Sequence, residues 1–140
     1  MATQTIGEDF FVYTLLFTAL AYNTSQTLNI AVQADANFLL QKITQYSQNV
    51  TTPAQQTDSS RILPDATILI TDAGSGRQIM DKALPVCALF GSGEIPFILN
   101  QPKLFSARST ITVTLANISV ATSQTSYNSY ICFIGKKIFI

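Results

Sequence analysis

Residues Ser109 to Ala116 read S-T-I-T-V-T-L-A, and this stretch decides the fold class. Its large apolar side chains recur at every second position, in Ile111, Val113 and Leu115, and threonines occupy the positions between them. Successive side chains of a β-strand point to opposite faces of a sheet, so this spacing predicts a half-buried strand. β-Branched residues on both faces fit a pleated surface and strengthen the prediction.

The same period of two recurs elsewhere in the chain. Residues Thr27 to Gln33 read T-L-N-I-A-V-Q and also alternate. Residues 66–72 form an aliphatic and β-branched run, and the sequence D-A-G-S-G at 72–76 follows it. Because Asp and Gly supply the conformations that close hairpins, we expect residues 77–80 to begin a return strand.

The most apolar run lies near the N-terminus. Residues 10–21 read FFVYTLLFTALA, which is shorter than the roughly 20 residues that a membrane-spanning helix needs. Acidic residues precede this run and no Lys or Arg occurs before Lys42, the reverse of a signal peptide. We therefore expect a buried strand, no membrane segment, and an N-terminal arm of residues 1–9. One of the adjacent Phe10 and Phe11 must face outward, covered either by a loop of the same chain or by a neighbouring subunit.

Segments in the middle of the chain are harder to assign. Residues 38–46 fit both a helical spacing and a strand alternation, and the strands around them favour a strand. Residues 47–60 are polar with a single proline, which predicts a long exposed loop. Residues 84–105 are interrupted by three prolines and two glycines, which predicts two short edge-like strands joined by a Gly-Ser-Gly turn.

Residues 127–140 complete the pattern as a C-terminal strand, with a kink at Gly135 and with Lys136 and Lys137 in solvent. The chain then has about eight short strands and no strongly amphipathic helix. This is typical of an all-β fold, an antiparallel β-sandwich or a jelly roll, and periodicity does not distinguish the two. Neither a repeat nor a linker divides the sequence, so we expect residues 1–140 to form one domain.

The composition excludes several classes of function. The 140 residues carry eight basic and eight acidic side chains, and the basic ones are scattered. Because phosphate neutralisation needs clustered Lys and Arg, we expect no nucleic-acid partner. The chain has no histidine, which removes His-activated nucleophiles and the commonest metal ligand. We therefore expect no enzyme activity, no catalytic residues, no metal and no cofactor.

Three patterns invite a chemical interpretation and have a simpler one. Acidic residues between positions 65 and 94 could supply an acid and a base, as in glycosidases, but most of them adjoin turn-forming residues. The Gly-Ser-Gly sequences at 74–76 and 91–93 lack the rest of a phosphate-binding loop and indicate hairpin turns. Cys87 and Cys132 have no close Cys neighbour and no export signal, so we expect free buried thiols.

The sparse charge indicates an assembly. A folded monomer of 15.2 kDa exposes roughly 7,100 Å², so the sixteen charges (eight plus eight) are spread at about half the usual density. Apolar surface is then left for another chain, and we expect a homo-oligomer, a dimer in preference to a trimer. Residues 84–105, which prolines and glycines interrupt, contain the expected interface residues: Phe90, Phe97, Leu104 and Phe105.

Residues 63–119 carry a resemblance to a known family. They contain L-P-D-A-T-I-L-I-T-D-A-G-S-G-R-Q-I-M, P-V-C-A-L-F-G-S-G-E-I-P-F-I-L and F-S-A-R-S-T-I-T-V-T-L-A-N-I-S. This pattern resembles the cement proteins that decorate the capsids of tailed double-stranded DNA bacteriophages, and the likeness extends loosely over nearly the whole chain.

The resemblance implies a jelly-roll subunit made in the host cytoplasm. It further implies attachment to the outer surface of an HK97-like capsid in the virion, where the subunit joins neighbouring major capsid proteins without catalysis or cofactor. It carries over no binding residues.

A second function remains open, a carbohydrate- or receptor-binding module of a phage head fibre or collar, since jelly rolls often hold sugars. Such a site wants exposed aromatic rings beside carboxylates and amides, and the chain has no tryptophan.

Overall fold

The computed structural model describes residues 7–21, 23–49, 66–86, 97–118 and 127–140. Their strands are β1 (Glu8–Leu20), β2 (Ser25–Ala31), β3 (Ala36–Asn49), β4 (Ala66–Asp72), β5 (Arg77–Gln78), β6 (Leu84–Pro85), β7 (Phe97–Phe105), β8 (Thr110–Asn117) and β9 (Tyr127–Phe139). The expected all-β sandwich is confirmed, with nine strands in the described residues. Three of the strands, β1, β3 and β9, are longer than the short strands expected, at 13 or 14 residues.

The order of the strands is that of a jelly roll. Sheet A has the order β1-β9-β3-β7, and sheet B has the order β2-β8-β4-β5, with β6 also pairing with β4. The pairs β1 with β9, β2 with β8, β3 with β7 and β4 with β5 nest like one long antiparallel hairpin that has been rolled up. The pairs of β3 with β9 and β4 with β8 hold the roll closed as two Greek keys. The topology thus makes the choice that periodicity left open.

The hydrophobic core lies between the two sheets and follows from alternation. Strands β4 and β8 bury every second side chain along their whole lengths, as the sequence of residues 109–116 predicted. Each fully buried large side chain contributes about 1.5–3 kcal/mol. Sheet A supplies the largest of them, which are Phe17, Phe38, Phe105 and Phe133.

A bulge in β3 explains why residues 38–46 fit no single period. The pairing of β3 shifts between Leu40 and Lys42, which leaves Gln41 as an extra residue. Even-numbered side chains face the core before the shift, and odd-numbered ones face it afterwards. Because one inserted residue reverses the phase of alternation, the sequence acquires a mixed, helix-like spacing within a true strand.

Gly135 lies on β9 opposite this bulge, at a point where two backbones approach closely. A Cβ at this position would lie 1.9 Å from the carbonyl oxygen of Leu39 and 3.2 Å from the Cα of Leu40. Backbone atoms cannot rotate away, so a side chain here would push β3 from β9. The prediction of a kink in β9 at Gly135 is wrong. Strand β9 runs without interruption, and the irregularity lies in β3.

The N-terminal strand is half buried rather than buried. It begins at Glu8, so the last two residues of the expected arm belong to β1, and residues 1–6 lie outside the described residues. Phe10 is 75% exposed, whereas Phe11 packs edge-on against Tyr13 with ring centroids 4.8 Å apart. The expectation that Phe10 and Phe11 point to opposite faces is confirmed.

Lys137 does not meet solvent as its sequence context indicated. It is only 7% exposed, and its Nζ donates to Gln33 and lies 3.5 Å from a carboxylate oxygen of Asp35. The same Nζ lies 4.1 Å from the ring centroid of Phe11. A buried ammonium needs polar and aromatic partners, and these come from distant parts of the chain that periodicity could not bring together. Lys136 lies on the opposite face and is partly exposed, as expected.

The polar segment at 47–60 begins inside a strand. Strand β3 continues to Asn49, and Ser47 is fully buried with its hydroxyl 2.9 Å from that of Ser129. The expected loop therefore cannot start before residue 50, and residues 50–65 lie outside the described part of the chain.

The hairpin of β4 and β5 is confirmed. The carboxylate of Asp72 accepts a hydrogen bond from the Gly74 amide at 3.1 Å, and Gly76 has a φ of 70°. Glycine adopts this left-handed conformation without a steric penalty. Asp72 therefore acts as a turn residue, which is the simpler of its two interpretations.

Candidate binding surface

The outward side of sheet A is a broad and mostly apolar surface, called here the sheet A face. Its members alternate along each strand with the core residues, and cross-strand pairing brings them side by side. The face includes Phe10, Val12, Thr14, Leu16, Leu39, Lys42, Thr44, Tyr46, Ile98, Leu104, Tyr130, Cys132, Ile134 and Lys136.

Six of the eight large hydrophobic residues that are exposed in the described part of the chain belong to this face. They are Phe10, Leu16, Tyr46, Ile98, Leu104 and Tyr130. A scattered exposed apolar side chain is ordinary in a soluble protein, whereas a contiguous set marks a surface that another molecule covers.

Two neighbouring rows across the centre of this face differ in size. The tyrosine row consists of Leu16, Tyr130 and Tyr46, which pair directly across β1, β9 and β3. The small row, one step further along the strands, consists of Thr14, Cys132 and Thr44. The tyrosine rings lie 6.2 Å apart between centroids, and the Thr14 hydroxyl donates to the Cys132 sulfur at 3.9 Å. The face therefore has a ridge of large side chains beside a groove of small ones.

Charge on the sheet A face is sparse and lies away from these two rows. Lys136 pairs with Glu8 at 2.9 Å, at the end where β1 begins. Lys42 stands in the row beyond the small row, opposite Ile134 and Ile98. The centre of the face is therefore uncharged.

The outward side of sheet B, the sheet B face, has a different chemistry. Threonines dominate it, and the hydroxyls of Thr27 and Thr114 lie 2.9 Å apart across β2 and β8. None of the eight exposed large hydrophobic residues in the described ranges belongs to these strands. Leu69 is its one large apolar member in the described strands, and it is partly buried.

The four residues expected at an interface separate in the structure. Leu104 lies on the sheet A face and is 49% exposed. Phe105 is fully buried opposite Phe38, so the expectation that it is available to a partner is wrong. Two successive strand residues must point to opposite faces, which is why only one of them can be outward. Phe97 is partly buried and lines a cavity, and Phe90 lies outside the described residues.

That cavity has a volume of about 510 Å³ and lies between the edges of the two sheets, beside β5 and β7. Its described lining is mostly apolar and contains one aromatic ring, that of Phe97. The charged groups among the described lining residues are Arg77 and Lys103. None of the described lining residues carries a carboxylate. The volume suits a small ligand, but the described lining lacks the carboxylates and most of the aromatic rings that a sugar site uses.

The cysteine and acidic side chains of the described residues do not form a metal-binding cluster. Cys132 is unbridged, as expected, but it is partly exposed on the sheet A face rather than buried. Cys87 lies outside the described residues. Within those residues no three Cys, Asp or Glu side chains are gathered as they would be to hold a metal ion. No helix in the described ranges is long and apolar enough to cross a membrane.

Sequence reasoning missed most of the sheet A face, although one signal was present. Strand β9 has apolar residues in both phases of its alternation, with Ile131 and Phe133 inward and Tyr130 and Ile134 outward. An antiparallel strand with one solvated face alternates between apolar and polar residues. A strand that is apolar in both phases therefore indicates that both faces are covered.

Comparisons with protein-family models, curated proteins and solved structures found no match.

Proposed function

We propose that this chain is a structural protein of a phage virion, a cement protein that binds the outer surface of the capsid and joins neighbouring major capsid proteins. The observation that carries the proposal is the sheet A face. A chain that places six exposed large hydrophobic residues on one side of one sheet is built for assembly with other subunits. The jelly-roll order of the strands and the sequence resemblance support the virion as the place of that assembly.

The mechanism of such a protein is the area that it buries. A stable contact needs roughly 800 Å² on each partner, and a sheet presents that area without rearranging its backbone. Because few charges lie on the two sheet faces, little charge has to be stripped of water when they are covered. Many copies around a symmetric shell then oppose the outward pressure of packaged DNA without any one contact being tight.

A carbohydrate- or receptor-binding module of a head fibre or collar is the second candidate. The cavity beside β7 favours it by volume, since small-ligand sites occupy about 300–1,000 Å³. The chemistry of the described lining residues argues against a sugar, and the cement function explains the sheet A face better.

The test is the number of copies in the particle. Virions released by cells that express this chain are purified and digested, and the amount of the chain relative to the major capsid protein is measured by quantitative mass spectrometry. We expect a copy number of the same order as that of the major capsid protein. A few copies per particle would favour a fibre or collar, and absence from the particle would overturn the virion proposal altogether.

A further inference from the structure

We infer that the sheet A face is covered by a second copy of this chain, in a two-fold dimer whose two A sheets pack face to face. The inference concerns the protein in solution, where no capsid is present to cover the same face, and it does not rest on the proposed function. Three features of the face support this dimer: its size, the shape of its rows and the position of its charges.

The size of the sheet A face matches what a stable dimer needs. Four strands spaced about 4.8 Å apart span roughly 19 Å, and ten residues at about 3.3 Å each span roughly 33 Å. The resulting flat area of roughly 630 Å², before the relief of side chains is added, is close to the roughly 800 Å² per partner of a standard interface. Two sheets pack in this way about 10 Å apart in any β-sandwich, so the contact requires no new kind of geometry.

The rows make the face complementary to itself. The two-fold axis of this dimer lies in the interface and runs parallel to the rows, midway between the tyrosine row and the small row. Rotation about it places the tyrosine row of each copy opposite the small row of the other copy. Each ridge formed by Leu16, Tyr130 and Tyr46 then enters the partner's groove at Cys132. An axis along the strands would instead place ridge against ridge and leave the grooves empty, which close packing disfavours.

The charges agree with this arrangement. The two central rows hold no charged residue, and each is covered by the other row of the partner. Lys42 would face the row of the second copy at Asn128, which is polar. Lys136 is already paired with Glu8. The contact would have an apolar centre with aromatic anchors and a polar rim, as stable interfaces do.

Analytical ultracentrifugation of matched variants tests the dimer directly. The disrupting variant is Leu16→Glu, which places a carboxylate in the tyrosine row on a residue that is 42% exposed in the monomer. The control is Asn29→Glu, an outward and exposed residue of β2 on the sheet B face. We expect the wild type and Asn29→Glu to dimerise equally, and Leu16→Glu to dimerise at least about a hundredfold more weakly, because the buried carboxylate has no partner.

The reactivity of Cys132 provides a second readout that does not depend on the fold of a disrupted variant. In a Cys87→Ser background Cys132 is the only thiol of the chain. Because the dimer covers the small row, the rate of maleimide labelling should fall as protein concentration rises through the range of dimerisation.

Two results would overturn the inference. One is a wild type that stays monomeric at all concentrations, and the other is a dimer whose Cys132 is labelled as fast as in the monomer. Neither experiment contains capsid, so a monomeric protein that is nevertheless abundant in virions would refute this inference and leave the proposed function standing.

Discussion

Sheets A and B bury their inner faces in the same way, yet their outer faces differ in chemistry. Both sheets turn alternate side chains inward, and most of these inward side chains are apolar. Outward, sheet B carries threonines that bond one another, as Thr27 and Thr114 do, whereas sheet A carries Phe10, Leu16 and Tyr130. The side chains of the inner faces contact only the core, so packing alone determines their composition. The outer faces differ because water covers one of them well and the other only at a cost in free energy.

The two sheets differ in regularity as well. The pairings of β2 with β8 and of β4 with β8 run without a shift. In sheet A the pairing shifts once between Phe17 and Leu20 and again between Leu40 and Lys42. Bulges increase the local twist and re-aim side chains, so the sheet with the apolar outer face is also the one whose shape depends on special positions such as Gly135.

The largest effect is expected in β7, where single substitutions at two adjacent residues compare the inner face of sheet A with its outer face. Phe105→Asp buries an unpaired carboxylate in the core and removes a fully buried ring. The loss of at least about 5 kcal/mol is comparable with the whole stability of a small domain, so this variant should not fold. Leu104→Asp should fold with a loss of under about 1 kcal/mol, because Leu104 points outward.

Circular dichroism and urea denaturation of the two variants measure this difference. If Leu104→Asp were also unfolded, the assignment of Leu104 to the sheet A face would be wrong.

A smaller effect, still large for one methyl group, is expected from Gly135→Ala. The added Cβ would meet the backbone of Leu39, so we expect a loss of at least about 3 kcal/mol, the upper end of overpacking penalties. The matched control in sheet B is Gly76→Ala in the β4–β5 turn, where φ is 70° and no heavy atom lies within 4 Å of the new Cβ. There only the strained φ contributes, about 1 kcal/mol.

The free energy of unfolding in urea distinguishes these two glycines. Equal losses at both positions would contradict the close approach of β3 and β9.

The smallest effect is expected on the sheet B face. Thr114→Val keeps the β-branched shape and removes the hydroxyl that pairs with Thr27 at 2.9 Å. Since both hydroxyls lie on the outer surface and can bond to water, we expect a change of under about 1 kcal/mol. The double variant with Thr27→Val should show a coupling near zero in a double-mutant cycle. A loss of about 2 kcal/mol or more in the free energy of unfolding would mean that the hydroxyls stabilise sheet B and do not only hydrate its outer surface.

Local alternation could predict much of the fold. It identified the strands at residues 27–33 and 109–116 and the hairpin after residue 72, because burial of one face of a strand leaves a period of two in any sequence. It failed at residues 38–46, where the extra residue Gln41 reverses the phase, and at Lys137, whose partners come from β1 and from the segment after β2.

Of the candidate surface, Leu104 is the expected interface residue that lies on it. Phe97 and Phe105 lie in the same segment, but interruption by Pro and Gly does not expose every residue of a segment, and Phe105 is fully buried. Local alternation does not reveal the tyrosine and small rows because their members are up to 118 positions apart in the chain, as Thr14 and Cys132 are.

The sequence by itself determined the fold class, the hairpin and the scarcity of charge, since each is a property of neighbouring residues or of composition. Only the tertiary structure decided which residues share a face. Strand β9 lies between β1 and β3 because the roll closes there, and this pairing sets Tyr130 beside both Leu16 and Tyr46. The physical reason is that β9 has apolar residues on both of its faces, and contacts with distant strands determine which face enters the core and which remains for a partner.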